Sequence, residues 1–497
     1  MNKALTRRVR TPLIWVIVLG LLLGFSFQGT RALWRTDEGR YTDGALQMLD
    51  SGDWLVPAYS ADRPNFSKPP LTYWAIAGSM KAFGRNTWAA RTPYALAFLG
   101  TLLLLYAMGR VVTPLKPWLP SLVYGCMAMP FFSANVVSTD VLLTLCEALA
   151  MAGFLYAAFG EQDHRKRYLF VMWLGFGLAF LTKGPPGLVA LLAILPFTYL
   201  RDGWRGLGRL FTVPGIAAFL VVGFGWYLAV VLRYSGVLHY FLHREIYDRL
   251  FTSEMRRHPG MWGWAVAYLP AFIVGSLPWW PALWRGLRAI VSNGTLRRLH
   301  RQRAPAYFLL LWLVLPLIVF CLSQSRLPLY VLPLFLPLAL MLALMLRRRV
   351  ALGSTRQRLL LGLWIAVLLA GKAVVAYAVH PLHDLHLAAG QLSALVSPHD
   401  YTRLVFVENT AHDYAIEEHT PWGLRLYVDR PVFGVAWQAN HSTTALCRAV
   451  HNHTPALLAI DTSVPPKAVA SALAACGVRQ SATVGVWRKR ALAMASE

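Results

Sequence analysis

Long apolar stretches recur along this chain, with short polar breaks between them. Runs of about 15 to 22 residues lie near 12–28, 94–108, 118–132, 141–159, 168–181, 188–200, 211–232, 264–283, 307–321, 329–346 and 359–379. A soluble globule cannot bury that much, so the pattern predicts a mainly α, polytopic helical bundle of about eleven transmembrane helices. The fifth and sixth runs are the shortest. The first stands behind Lys3, Arg7, Arg8 and Arg10 like a secretion signal, but no small-residue cleavage site follows it, so it reads as a helix.

Two polar intervals are long, 31–92 and 233–262. Both interleave Leu, Tyr and Trp with charge, which predicts helices lying along the membrane interface. Beyond 379 the pattern changes. "RLVFVEN", "GLRLYVD", "PALLAID" and "ATVGVWR" predict strands, while "STTALCRAVHNH" and "PKAVASALAACG" predict helices. The expected organisation is a membrane domain over 1–379 and a small extracytoplasmic (periplasmic) α/β domain over 380–497. No internal repeat is evident.

Composition agrees: 56% of the 497 residues are hydrophobic and 14% charged, against about a quarter charged in soluble domains. A net charge of +25 invites a nucleic-acid reading, but the distribution of the bases excludes it. They collect in alternate loops, at Arg110 and Lys116, at Arg165 to Arg167, at Arg201, Arg205 and Arg209, between Arg285 and Arg303, and between Arg347 and Arg358. The positive-inside rule then places the N-terminus in the cytoplasm and, with eleven spans, the C-terminus outside. Cys126, Cys146 and Cys321 fall in spans as small hydrophobes. Cys447 and Cys476 lie in the outer tail, where a disulfide is permitted but not specified.

Under this topology, the polar residues that hydropathy leaves unexplained gather on the outer side. Asp37, Glu38, Arg40 and Tyr41 follow the first span, and Arg63 and Lys68 lie in the same loop. Asp140 opens the fourth span, Lys183 lies between the fifth and sixth, and Arg326 follows the ninth. Ionisable groups at the membrane boundary are costly unless paired or hydrated, so their clustering points to a site. Cations can hold a phosphate, Arg in bidentate fashion and Lys as a point charge, while a carboxylate orients or deprotonates an acceptor. Each residue alone has a plainer explanation: Asp37 and Glu38 as acids at a helix start, Lys183 and Arg326 as snorkelling ends. Glu147 reads as a buried acid paired inside the bundle. His380, His383 and His386 have metal-like spacing but sit at a helix exit, where histidines are usually solvated. The chain holds no Gly-rich phosphate loop, serine nucleophile motif or CxxC.

The ordered stretches "LWRTDEGRYTDGALQMLDSGDWLVP", "RPNFSKPPLTYW", "TKG", "HYFLHREIYDRL", "AFIVGSLPW" and "SQSRLPLYVLP" resemble the bacterial aminoarabinose transferases that modify lipid A. Those enzymes group with the protein mannosyltransferases among GT-C glycosyltransferases that use a polyprenyl-phosphate sugar. The similarity runs from 31 to about 345. It implies a GT-C bundle in a bacterial inner membrane, a lipid-linked sugar donor and a lipid, glycan or protein acceptor on the periplasmic side. It also implies Asp37 as the catalytic acid, with Asp140 in support and Glu38 beside it; Arg40, Lys68, Lys183 and Arg326 on the donor phosphate; and Arg63, Tyr41, Glu245 and Arg249 as substrate contacts.

Three departures stand out. Ser67 replaces the Glu usual before the motif lysine, which removes a metal ligand, so no cofactor is required and a divalent ion is doubtful. Arg326 stands where a Lys is usual. The region after the tenth span is shorter, by two spans. One displacement with inversion is the expected chemistry. The rival reading is a transporter or flippase for an anionic lipid, in which the same cations bind a phosphate and nothing is cleaved; a structural assembly factor would explain the tail but not the acids.

Overall fold

The computed structural model describes residues 3–34, 36–60, 63–243, 258, 260–292, 304–350, 354–379, 384–411, 413–438, 442–450 and 455–496. The described chain forms two compact units. One comprises 1–28, 66–72 and 91–374; the other comprises 29–65, 73–90 and 375–497. The first polar interval is therefore grouped largely with the C-terminal domain.

The first unit is a helical bundle. Described helices cover all eleven apolar stretches, but six are long and apolar enough to cross a membrane as single elements: Thr87–Val112, Thr139–Phe159, Val213–Arg233, Pro305–Leu322, Pro328–Leu346 and Thr355–Tyr377. A seventh arises if Gly263–Gly275 and Trp280–Arg288, bent by 112°, count as one span. The other stretches are broken or charged. The third splits into Leu119–Gly125 and Ala128–Ser133, and the fifth, Arg165–Lys183, carries charge at both ends.

Ends of helices in an apolar bundle need partners for their last carbonyls. The first helix, Lys3–Phe25, finds them along the chain: Ser26 donates to Leu22, Lys372 Nζ to the Leu23 carbonyl at 2.9 Å, and Asn135 to Gly24 at 3.0 Å. Arg91 donates to the Gln28 carbonyl just beyond at 3.2 Å. The cations sit where the negative end of the helix favours them. Glu147 is paired inside the bundle as expected, its Oε1 accepting from Trp312 Nε1 at 3.1 Å.

The second unit contains the helix Asp37–Ser51, a short antiparallel ribbon of β1 (Ala58–Ser60) and β2 (Arg63–Pro64), and a five-stranded sheet. Gly52, at φ 71°, ends the helix in the left-handed region that glycine adopts without strain. The sheet strands are β3 (Arg403–Glu408), β4 (Val432–Ala436), β5 (Ala456–Asp461), β6 (Arg479–Trp487) and β7 (Arg490–Ser496), in spatial order β4-β3-β5-β7-β6. β3 runs parallel to β4 and β5, while β7 pairs antiparallel with β5 and β6. Helices Ser442–Val450 and Pro466–Ala475 cover a core that includes Val405, Val407, Leu446, Leu458, Ile460 and Leu473. Cys447 and Cys476 form a disulfide.

One predicted strand is wrong. "GLRLYVD" is helical over Trp422–Leu424 and Arg425–Val428, and the strand lies beyond it at Val432–Ala436. Leu424 and Val428, four apart, are both buried, a helical spacing. β7 went unpredicted because its Ala-rich "RALAMAS" has weak strand propensity; pairing with β5 and β6 holds it.

Candidate active site

In the second unit, four predicted residues fall on the first turns of the helix Asp37–Ser51, and the structure separates their uses. Glu38 forms a fork with Arg31, both contacts at 2.7 Å, and also accepts the Trp34 backbone N–H at 2.9 Å. Arg31 stacks on the Trp34 ring, 4.0 Å from its centroid. These partners leave the Glu38 side chain 6% exposed. It therefore ties down the turn entering the helix, at the position that sequence set beside the catalytic acid. Asp37, its neighbour, is 42% exposed. One of its oxygens accepts from Arg40 Nη2 at 2.6 Å, and the carboxylate remains open to an incoming group.

Arg40 is the centre of this cluster. Its Nη1 lies 3.7 Å from Glu417 of the C-terminal domain, and its guanidinium lies 5.6 Å from the Tyr41 ring centroid. Burial works against the charge, yet Arg40 is held above its ordinary range, with the carboxylates of Asp37 and Glu417 as its anionic neighbours. Asn65 donates to the hydroxyls of Tyr59 and Tyr73, each at 2.9 Å, and Tyr41 packs on Tyr73 at 5.4 Å. Burial raises the pKa of both Tyr59 and Tyr73, so they stay neutral hydroxyls.

Further along the same helix, Arg425 donates to Gln47 at 2.8 Å, pairs with Asp50, and lies 3.5 Å from the fully buried Asp43. Gly39 packs against Gly423 so closely that a Cβ would stand 2.9 Å from the Gly423 nitrogen. Nothing local marks Glu417 or Arg425 as partners of this helix, because they stand over 370 residues away in sequence. Arg63 belongs to β2.

In the first unit, Asp140 and Lys183 form a buried ion pair. Ser138 caps the helix Thr139–Phe159 by accepting the Asp140 N–H at 3.0 Å, and its hydroxyl also donates to the Asp140 carboxylate at 3.1 Å. Lys183 ends its own helix, and its ammonium lies 4.0 Å from the Tyr330 ring centroid. Lys68 is half-buried in the segment where Phe66 packs on Tyr234 and Tyr240 at 5.4 and 5.9 Å. Arg326, read from sequence as a phosphate ligand, lies against backbone carbonyls. Its guanidinium donates to the carbonyls of His258, Gly260 and Cys321 at 2.8, 2.9 and 3.0 Å, fixing backbone in the manner of a C-cap.

Glu245, Arg249, His380 and His383 lie outside the described residues. Among the described residues, no three His, Cys, Asp or Glu side chains gather as metal ligands.

Residues 67–228 match the family model of dolichyl-phosphate-mannose-protein mannosyltransferases. The chain is 33% identical over 383 residues to an undecaprenyl phosphate-alpha-4-amino-4-deoxy-L-arabinose arabinosyl transferase of Pseudomonas aeruginosa strain LESB58, covering 74% of this chain and 66% of that protein. Against the protein of the same name from strain UCBPP-PA14 it is 33% identical over 355 residues, covering 69% and 61%. The chain thus spans about three-fifths to two-thirds of the length of these relatives. Its fold matches the crystal structure of ArnT from Cupriavidus metallidurans bound to undecaprenyl phosphate, with a TM-score of 0.72, 19% identity and 97% of each chain covered. This similarity extends through the C-terminal sheet domain, beyond the stretch that the sequence motifs cover. The chain is a multi-pass membrane protein of the aminoarabinose transferase-like family, with the GT-C fold.

Proposed function

We propose that this chain is an inner-membrane glycosyltransferase that moves a pentose from a polyprenyl-phosphate carrier to an acceptor on the periplasmic side, with lipid A the first acceptor to test. The observation that carries the reading is the unequal fate of two adjacent acids. Glu38 is consumed by Arg31 and the Trp34 backbone, whereas Asp37 is half-exposed beside a buried arginine. Exposing one carboxylate while sealing its neighbour is what an acceptor-facing acid requires. The 33% identity to transferases of an undecaprenyl-phosphate-linked arabinose supports the donor class.

In the displacement, the bond from the anomeric carbon to the phosphate oxygen breaks and its electron pair leaves on polyprenyl phosphate. An acceptor oxygen forms the new bond from the opposite face, which inverts the centre. A hydroxyl acceptor gives its proton to Asp37; a phosphate acceptor is already anionic, and Asp37 then positions it. Arg40 is assigned to the charge growing on the leaving phosphate, where a preorganised donor is worth about 3 to 4 kcal/mol. The topology in this reading has a cytoplasmic N-terminus and a periplasmic C-terminal domain.

The test is direct. Purified protein supplied with undecaprenyl phosphate-alpha-4-amino-4-deoxy-L-arabinose and lipid A should release free undecaprenyl phosphate; binding without release would instead favour a transporter. Asp37→Asn should abolish release while protein level and membrane insertion stay normal. No cofactor is required in this reading, so EDTA should leave the rate unchanged. Loss of activity on chelation, restored by a divalent ion, would overturn that part.

A further inference from the structure

We propose that Glu417, in the C-terminal domain, is a positioning residue of the transfer site, gripping Arg40 by the terminal nitrogen that Asp37 does not use. The inference rests on the glycosyltransferase reading and extends it to a domain that bears no catalytic motif. Arg40 is 12% exposed, with Nη2 at 2.6 Å from Asp37 and Nη1 at 3.7 Å from Glu417. An arginine beside one carboxylate tends to close on it as a fork through both terminal nitrogens. Such a fork would cover the oxygens of Asp37, the group that faces the acceptor. A second carboxylate on Nη1 prevents that closure and also restricts a side chain rich in rotamers.

The placement of Glu417 is not an isolated contact. The segment from Glu417 to Tyr427 follows the helix Asp37–Ser51 along one side. Trp422 stacks on Tyr59 at 4.7 Å, Gly423 meets Gly39, Arg425 reaches Gln47 and Asp50, and the Tyr427 hydroxyl accepts the Leu33 N–H at 2.8 Å. On the helix, positions 39, 43, 47 and 50 recur every three or four residues and so share one face. The segment thereby fixes the rotation of the helix, and Glu417 sets the arginine at its first turn.

The experiment uses the full-length protein with undecaprenyl phosphate-alpha-4-amino-4-deoxy-L-arabinose and lipid A, measuring kcat, donor KM and Tm. Glu417→Gln should lower kcat by about tenfold, the scale of one lost charge contact in a partly buried site, with donor KM and Tm unchanged. Glu417→Asp should recover part of that loss. Unchanged kcat in Glu417→Gln would overturn the proposal. So would a kcat loss that only follows a fall in Tm. If the wild-type protein releases no undecaprenyl phosphate, the functional reading fails, and a thermal double-mutant cycle of Arg40→Met with Glu417→Gln judges the contact by itself. Coupling supports the grip; strict additivity overturns it.

Discussion

Each unit buries a carboxylate near its candidate chemistry, but they find their partners in different ways. Asp140 is held by Ser138 two residues before it and by Lys183 at the end of the next long helix. The acids of the helix Asp37–Ser51 depend on Arg425 and share Arg40 with Glu417, from a segment almost 400 residues downstream. In the bundle, Asp140 finds both partners within one pair of consecutive long helices, although other buried groups there, such as Lys372 on the Leu23 carbonyl, are satisfied from far along the chain. Outside it, a folded domain can deliver a charge to a chosen turn of a chosen helix. The first arrangement builds itself as the helices pack, whereas the second exists only once the C-terminal domain is folded.

Several measurements would break or sharpen that contrast. The largest effect is expected at the adjacent acids. Asp37→Asn should cost about 10² to 10⁴-fold in turnover, the usual worth of a general base, with normal Tm. Glu38→Gln should show the reverse, a loss of folded protein of about 3 kcal/mol, because Arg31 is left buried without its fork. Equal turnover losses in the two variants with equal Tm would erase the distinction between them. Next is Arg425→Met, which takes the cation from beside the buried Asp43 and leaves Asp50 to Arg85 alone; it should destabilise the second unit by about 3 kcal/mol, read as earlier proteolysis of the C-terminal domain.

In the bundle, Asp140→Asn and Lys183→Met should each lower Tm, and the double variant should be less damaged than their sum; additivity would mean the pair is not coupled. The smallest effect is a pH slope. Burial raises the Asp43 pKa from 3.8 to about 7 despite Arg425 nearby. Between those values the folded chain keeps a proton that the unfolded chain has released, so stability should fall as pH rises from about 4 to about 7. Asp43→Asn should flatten that slope and stabilise the protein at pH 8. An unchanged slope in thermal melts across this window would place the proton elsewhere.

Part of the candidate site was legible from residue type and order. Asp37, Arg40, Lys68, Asp140 and Lys183 were read from polar residues standing at the ends of apolar runs, and of these the structure pairs Asp37 with Arg40 and Asp140 with Lys183. Sequence did not separate Asp37 from Glu38, because adjacent acids have the same chemistry until burial differs. Nor did it show the three carbonyls that the Arg326 guanidinium meets in the folded chain. Glu417 and Arg425 carried no signal at all: one sits in an ordinary polar helix, and the other in a stretch that reads as a strand.

The chain's own residues determined that it is a helical membrane protein with a terminal α/β domain, since apolar run length and strand periodicity are local properties that water and lipid sort directly. Its motifs likewise settled the family. Only the tertiary structure decided which acid is open, which arginines are spent on backbone, and which distant charges close around Arg40. Those outcomes depend on burial and on contacts between residues hundreds of positions apart, and no local pattern encodes either one.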